Sequence, residues 1–202
     1  MKNLGYRLIL ASNSPRRKEL LAGLDLEFET RVIPGIDETY PSDLPVGQIP
    51  LYISQKKSEA YRRGMADGEL IITADTIVAC DGQILGKPAD RDDAVRMLEM
   101  LAGKRHQVIT GVTFATKSST RSFSVSTDVW FSMLTDAEIS YYVDRYRPFD
   151  KAGAYGIQEW IGYVGVERIE GSYFNVVGLP VQRLYRELLQ FVSSLESGRR
   201  IP

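Results

Sequence analysis

The chain has 202 residues, of which 44% are hydrophobic and 25% charged, as is usual for a globular protein with a sizeable core. Its formal net charge of −1 excludes a globally basic surface, so nucleic acid is not an expected partner. A single cysteine, Cys80, excludes an internal disulfide. With no signal-like N-terminal segment and no run of ~20 apolar residues, we expect a cytoplasmic protein without a membrane partner.

The first predicted elements are a strand over residues 7–12 and a helix that follows it directly. Ser14 is a suitable N-cap, Pro15 suits the first helical position, and Gly23 is a plausible terminator. This order of strand, cap and helix predicts a βα connection whose helix N-terminus faces the end of the strand.

The later elements follow from hydrophobic periodicity and turn chemistry. In chain order we predict a strand over 28–33, a polar loop over 34–45, a helix over 50–63, and a strand over 70–80 with a hairpin turn at Asp81-Gly82. The next predicted helix is capped by Asp90 and has an apolar stripe of Ala94, Met97, Leu98 and Leu101. Strands over 108–116 and 123–133 follow, and then a helix over 135–146 that opens with a capping box from Thr135 to Glu138. The last predicted segments are a loop over 147–158, strands up to 169, a helix over 179–191, and a polar tail over 193–202. Because βα crossovers and hairpins both occur, we expect an α/β fold with a mixed sheet flanked by helices.

The segment from Ser12 to Arg17 is the first candidate site. A helix N-terminus offers unpaired N–H groups and a positive dipole end, which favour a phosphate. Arg16 and Arg17 would be unfavourable in a first turn unless an anion binds there. The alternative is that both arginines point to solvent or pair with Glu19 or Glu27.

Asp75 is the second candidate, because a carboxylate within an apolar strand is expensive to bury in its ionised form. It must pair with a cation, bind a metal, or face a cleft at the end of the strand. Thr73 stands where a haloacid-type phosphatase would need a second Asp, which excludes that class. A general base or an anchor for a hydrated divalent cation fits better, and a structural ion pair is the alternative.

Two further segments offer weaker signals. Lys87, held between Gly and Pro after the hairpin, could reach a phosphate or be a solvated turn residue. Asp37 and Glu38 add carboxylates in the polar loop, where acidic residues are usually just solvated. In the segment 150–158, small residues permit close approach to a ligand, and Gln158 offers a donor and an acceptor to a base edge, although a tight turn is the alternative.

Common nucleotide and catalytic signatures are missing from the sequence. Neither a G-x-x-x-x-G-K-[ST] loop nor a G-x-G-x-x-G motif occurs. His106 is the only histidine, which excludes His-rich metal sites, and its basic neighbours at a strand start favour a structural role. Cys80 follows an apolar run and is predicted to be buried as a small hydrophobe.

Taken together, the segments resemble the Maf family of nucleotide pyrophosphatases. The matching stretches lie in family order over about residues 8 to 190 and are 10–17, 36–38, 74–78, 86–88, 110–112, 150–158, 171–173 and 177–180. The resemblance implies one Maf-like domain over residues 1–192, with two lobes around a central cleft and an elongated mixed sheet similar to that of inosine triphosphate pyrophosphatases. One departure is Ser58, which follows Lys57 where the family usually has Ala.

The resemblance also implies roles for individual residues. Asp75 would be the catalytic proton acceptor, and Glu38 with Asp75 would hold a divalent metal cation, Mg²⁺ or Mn²⁺. The remaining implied roles are substrate specificity for Arg16, Thr76 and Gln158, and phosphate binding for Ser12, Ser14, Arg17, Lys57 and Lys87.

The implied activity is hydrolysis of a nucleoside triphosphate to the monophosphate and pyrophosphate. The Gly-Ile-Gln sequence that ends at Gln158 resembles the branch acting on dTTP and UTP, with modified pyrimidine nucleotides as an alternative substrate class. A homodimer is the assembly that the family resemblance allows. The alternative function is a non-catalytic, nucleotide-sensing regulator of cell division that acts through a protein partner.

Overall fold

A computed structural model describes residues 4–198 of the chain. Within that range the contacts divide the chain into two compact units. Unit 1 comprises residues 4–75, 110–124 and 178–198, and unit 2 comprises residues 76–109 and 125–177. The boundaries cut three strands, so each of these strands contributes residues to both units.

The described residues form seven strands in one sheet with the order β2-β1-β3-β5-β6-β7, and β4 pairs with β3 off this path. The strands are β1 (Arg7–Leu10), β2 (Phe28–Thr30), β3 (Glu69–Cys80), β4 (Gln83–Leu85), β5 (Arg105–Ala115), β6 (Thr120–Phe131) and β7 (Val166–Glu170). β1 runs parallel to β2 and β3, whereas β3–β4 and β6–β7 are antiparallel pairs. The predicted mixed sheet is therefore confirmed.

Helices occur in both units. They are α1 (Pro15–Ala22), α2 (Ile49–Arg62), α3 (Arg91–Leu101), α4 (Asp136–Tyr146), α5 (Trp160–Gly165), α6 (Tyr173–Val177) and α7 (Val181–Gly198). The predicted caps are confirmed: Ser14 accepts from the Arg17 N–H, Asp90 from the Asp93 N–H, and Thr135 forms a capping box with Glu138. No helix in the described range is both long and apolar enough to cross a membrane.

In unit 1, strand β5 approaches helix α2 very closely at Gly111. A Cβ atom at this position would lie 2.3 Å from the Leu51 nitrogen and 2.4 Å from the carbonyl carbon of Pro50. Both neighbours are backbone atoms, which cannot move aside as a flexible side chain can. The absence of a side chain at Gly111 thus lets the start of α2 rest on the sheet.

In unit 2, helix α3 packs through the predicted stripe, since Ala94, Met97, Leu98 and Leu101 are all buried in the core. Asp81 and Gly82 connect the antiparallel pair β3–β4, as predicted.

Two sequence-based predictions near the C-terminus are wrong. Residues 160–165, predicted as strand, form α5, because the Gly162 N–H donates to the Glu159 carbonyl at 2.9 Å and starts a helical turn. The last helix continues to Gly198 rather than ending at residue 191. Its apolar spacing persists, with Leu188, Phe191 and Val192 followed by the half-buried Leu195, so part of the predicted polar tail is helical; residues 199–202 lie outside the described range.

Glu69 opens β3 with a carboxylate that is almost completely buried in unit 1. Arg31 donates to both of its oxygens, at 2.6 and 3.0 Å, and Arg7 and the Ala66 N–H donate to it as well. The hydrogen bonds from Arg31 hold the pKa of Glu69 at about 2, below its ordinary value of 4.5, against the opposing effect of burial. Sequence reasoning did not predict this cluster, because Arg7 and Arg31 are far from Glu69 in the chain.

This cluster predicts an acid-sensitive contribution to stability. Because the pKa of Glu69 is lower in the folded state, the contribution is complete above about pH 4.5 and is lost as the pH falls towards 2. We expect Glu69→Gln to lower the free energy of unfolding at pH 7 by about 2 kcal/mol and to flatten its dependence on pH between 5 and 3. Urea unfolding across this range measures both effects. Glu29→Gln, at an exposed carboxylate 3.7 Å from Arg7, is the control, and equal pH profiles for the two variants would contradict the prediction.

Candidate active site

The N-terminus of α1 is built by two serines that follow β1. The Ser14 hydroxyl accepts from the Arg17 N–H at 3.4 Å, and the Ser14 N–H donates to the Ser12 hydroxyl at 3.2 Å. These bonds use each hydroxyl oxygen as an acceptor, so each hydroxyl keeps its proton as a donor. The predicted phosphate-binding pair thus shapes the helix start and retains groups that can bind an anion.

Arg17 lies in the first turn of α1 and contacts backbone on two other segments of unit 1. Its Nε donates to the Gly178 carbonyl at 3.0 Å, and its Nη1 donates to the Ala74 carbonyl at 2.8 Å. Burial lowers the pKa of the guanidinium, and the charge of Asp75 opposes that shift. The alternative that Arg17 points to solvent is therefore wrong. Arg16, its neighbour, is half-buried.

Lys57 on α2 brings together the two predicted acidic residues. Its ammonium lies 2.8 Å from Asp75 Oδ1 and 3.1 Å from Glu38 Oε2. The side chains of Lys57 and Asp75 are each 14% exposed, whereas Glu38 is 55% exposed. Asp75 is thus paired with a cation from α2, as the cost of burying its charge requires. Its side chain keeps a small exposure to solvent.

The preceding lysine fixes the acidic loop against the same helix. Lys56 Nζ donates to Asp37 Oδ2 at 2.6 Å and to the Thr39 carbonyl at 2.9 Å. The hydrogen bond from Lys56 lowers the pKa of Asp37 to about 2. Adjacent lysines therefore bind adjacent loop acids, and this pairing holds Glu38 at the Lys57 ammonium.

The donor set in unit 1 offers two carboxylates to a cation. Among the described residues, no cluster of three or more His, Cys, Asp or Glu side chains could hold a metal. Mg²⁺ commonly uses one or two protein carboxylates and completes its shell with water and substrate phosphates. Because Glu38 and Asp75 both reach one ammonium, they fit a metal of that kind, held jointly with a bound phosphate group.

The other predicted site residues, Thr76, Lys87 and Gln158, belong to unit 2. Thr76 is half-buried and Lys87 is exposed. Gln158 lies in a turn closed by a 2.9 Å bond from the Glu159 N–H to the Gly156 carbonyl. Its buried Oε1 has no hydrogen-bond partner in the described part of the chain, although buried polar atoms normally have one. Gln158 therefore holds a buried acceptor whose hydrogen-bonding capacity the described residues leave unused.

His106 and Cys80 are both buried in unit 2. His106 Nε2 lies 2.7 Å from the Tyr155 hydroxyl, and its ring packs edge-on against Phe131 and Tyr155. Burial lowers the pKa of His106 to about 4, so its ring is neutral at pH 7. Cys80 is 2% exposed, which confirms its predicted burial. This burial raises the pKa of its thiol. Neither residue has the exposure that a nucleophile or a general base needs.

Sequence reasoning also missed a polar cluster in unit 2, which is formed by Tyr142, Lys151 and Glu159. Tyr142 donates to Glu159, and Lys151 Nζ lies 3.1 Å from Glu159 Oε1. Lys151 could have been noticed as a charged residue within the motif 150–158. Tyr142 could not, because its helix position looks like any other apolar position of α4.

A helix N-terminus that directly follows a strand is typical of α/β proteins that bind phosphates. A family model described as Maf-like protein matches residues 7–191, and the chain belongs to that family. A dTTP/UTP pyrophosphatase of Phocaeicola vulgatus is 61% identical over 183 residues, which cover 91% of this chain and 95% of that protein. A dTTP/UTP pyrophosphatase of Bacteroides thetaiotaomicron is 57% identical over 183 residues, with 91% and 95% coverage.

Among solved structures, a HAM1 protein from Coxiella burnetii is similar with a TM-score of 0.48 and 12% identity, over 92% of this chain and 99% of that one.

Proposed function

We propose that this protein is a nucleoside triphosphate pyrophosphatase that converts dTTP and UTP to the monophosphate and pyrophosphate. The observation that carries the proposal is the convergence of Asp75, Lys57 and Glu38 in unit 1. Arg17 also donates a hydrogen bond to the carbonyl of Ala74, the residue before Asp75. The names of the Phocaeicola and Bacteroides relatives support the substrate class. Modified pyrimidine triphosphates are a further substrate class of the same chemistry.

The triphosphate brings about four negative charges, which the basic side chains offset. Arg17 and Lys57 would bind phosphate oxygens, together with the Ser12 and Ser14 hydroxyls and the N-terminus of α1. Lys87 in unit 2 is assigned the same role. An anion that binds Lys57 would compete with Asp75 for the ammonium, so substrate binding would weaken the Lys57–Asp75 pair.

Asp75, released in part from Lys57, would orient a water molecule and accept its proton. The water oxygen forms a bond to the α-phosphorus, and the bond from that phosphorus to the bridging oxygen breaks. The products are the monophosphate and pyrophosphate, and the proton passes to Asp75. This role requires a carboxylate that is both partly desolvated and accessible, and Asp75 meets both conditions at 14% exposure.

Glu38 and Asp75 would hold a divalent cation, Mg²⁺ or Mn²⁺, together with the substrate phosphates. Such a cation supplies charge neutralisation for the triphosphate and its leaving group. The carboxylate of Glu38 reaches this position because Lys56 binds the preceding residue, Asp37.

Base recognition is assigned to Gln158, with Arg16 and Thr76 as further specificity residues. The unpaired Gln158 Oε1 can accept from the N3–H of thymine or uracil. Cytosine has an unprotonated N3 in its place, so it cannot make the same bond. A site with a buried acceptor that a substrate leaves unpaired discriminates strongly against that substrate.

The test is a panel of dTTP, UTP, CTP, GTP and 7-methyl-GTP with and without Mg²⁺ or Mn²⁺, in which pyrophosphate is measured separately from phosphate. We expect pyrophosphate from dTTP and UTP, and none when the divalent cation is removed with EDTA. Release of phosphate alone, or no turnover of any nucleotide, would contradict the proposal. The latter result would favour a nucleotide-binding regulator that acts through a protein partner.

A further inference from the structure

In the turn that carries Gln158, two side chains lie close to the backbone of Gly156. A Cβ atom at Gly156 would lie 2.9 Å from Glu159 Cδ and 3.1 Å from Gln158 Nε2. The Gln158 amide and the Glu159 carboxylate therefore both pack against the backbone of Gly156. Any movement of this backbone or of Glu159 would displace the carboxamide of Gln158.

The Tyr142 hydroxyl fixes this backbone from helix α4. It accepts from the Gly156 N–H at 2.9 Å and donates to Glu159 Oε2. The Tyr142 side chain is fully buried in the unit 2 core, and burial raises its pKa, so the phenol keeps its proton. One hydroxyl thus binds the first and the last residue of the turn.

Lys151 engages the remaining oxygen of Glu159. Its ammonium is 9% exposed and lies 3.1 Å from Glu159 Oε1 and 2.8 Å from Asp150 Oδ1. Both oxygens of the Glu159 carboxylate therefore have a donor. By contrast, the neighbouring Gln158 Oε1 has no hydrogen-bond partner in the described structure.

We infer that the Tyr142 hydroxyl, acting through Gly156 and Glu159, is a positioning group for the base-recognising amide of Gln158. This inference rests on the proposed function, in which Gln158 accepts a hydrogen bond from the base. Tyr142 need not touch the substrate. Its hydroxyl limits the freedom of the turn before binding, so the ligand need not supply the ordering free energy.

Removal of the hydroxyl in Tyr142→Phe would leave the Gly156 N–H unpaired and take one donor from Glu159. Because a hydrogen bond to a charged group is among the stronger ones in proteins, we expect the preference for dTTP over CTP to fall about tenfold. The loss should come mainly from a higher KM for dTTP, since Asp75 and Lys57 lie in unit 1 and are unchanged.

The experiment is a double-mutant cycle on the ratio of kcat/KM for dTTP to that for CTP, with Tyr142→Phe, Gln158→Leu and the double variant. Tyr146→Phe is the matched control, because Tyr146 stacks on Tyr142 from the same helix and is only half-buried. We expect Tyr142→Phe to reduce the ratio in the wild-type background and to leave it unchanged in the Gln158→Leu background, and Tyr146→Phe to behave as wild type.

A purely structural role would lower the melting temperature and the turnover of every nucleotide equally, with the ratio unchanged, and that result would overturn the inference. Equal reductions of the ratio in both backgrounds would also overturn it. Glu159→Gln, which keeps the shape of the side chain and removes its charge, gives the same test if Tyr142→Phe does not fold.

Binding of the monophosphates dTMP and dCMP separates this inference from the proposed function, because neither has an anhydride bond to hydrolyse. A dTMP preference that is lost in Tyr142→Phe would support the positioning role even if the wild-type protein released no pyrophosphate. Equal binding of dTMP and dCMP by the wild-type protein would overturn the inference even if dTTP is hydrolysed.

Discussion

Replacement of Asp75 by Asn is expected to lower kcat for dTTP about a thousandfold while the protein stays folded. General base catalysis contributes about 10²–10⁴-fold, and Asn cannot accept the proton of the attacking water. The amide has nearly the volume of the carboxylate, and its oxygen can still accept from the Lys57 ammonium, which lies 2.8 Å from Asp75 Oδ1. Pyrophosphate release measures the loss, and thermal unfolding checks the fold.

The matched control is Asp67→Asn in the same unit. Asp67 is 93% exposed and pairs with Lys117 on the surface, so we expect its replacement to leave turnover unchanged. Near-normal turnover by Asp75→Asn would exclude Asp75 as the proton acceptor. Equal loss in both aspartate variants would point to a general charge effect instead.

Replacement of Gly111 by Ala is expected to destabilise the protein by about 3 kcal/mol, at the upper end of the usual cost of overpacking. The new methyl group would lie 2.3–2.4 Å from backbone atoms of Pro50 and Leu51, so either β5 or the start of α2 must move. Because Lys57 lies on α2, we also expect a weaker interaction with Asp75 and a lower rate of dTTP hydrolysis. Urea unfolding followed by circular dichroism measures the stability change.

Gly64→Ala serves as the comparison, since a Cβ at this unit 1 position would have no atom within 4 Å. Its effect should stay within about 0.5 kcal/mol. Similar unfolding midpoints for the two variants would show that the approach of α2 to β5 tolerates a side chain.

The pairing of Asp75 with Lys57 agrees with both interpretations that the sequence left open. As a structural ion pair, it compensates the cost of a carboxylate within an apolar strand. As part of a catalytic site, the same pair holds the carboxylate ready until an anion competes for the ammonium. The Asp75→Asn experiment separates the two interpretations, because Asn preserves the pairing geometry and removes the base.

Local features were predictable from the sequence because their causes lie within a few residues. Ser14, Asp90 and Thr135 cap their helices as predicted, since a cap needs only a side-chain oxygen and an N–H three residues later. Short elements such as α5 were missed, because a six-residue helix with β-branched and aromatic residues has little periodicity to detect.

The sequence by itself determined the mixed α/β class, the caps, the hairpin and the need of Asp75 for a partner, because these follow from local sterics and from the cost of desolvating a charge. Only the tertiary structure decided which partner it has, since Lys57 reaches Asp75 from helix α2 and also pairs with Glu38 of the acidic loop. The tertiary structure likewise decided that the Tyr142 hydroxyl accepts from the Gly156 N–H in the turn that carries Gln158. Hydrogen bonds between distant segments depend on packing that no local pattern encodes.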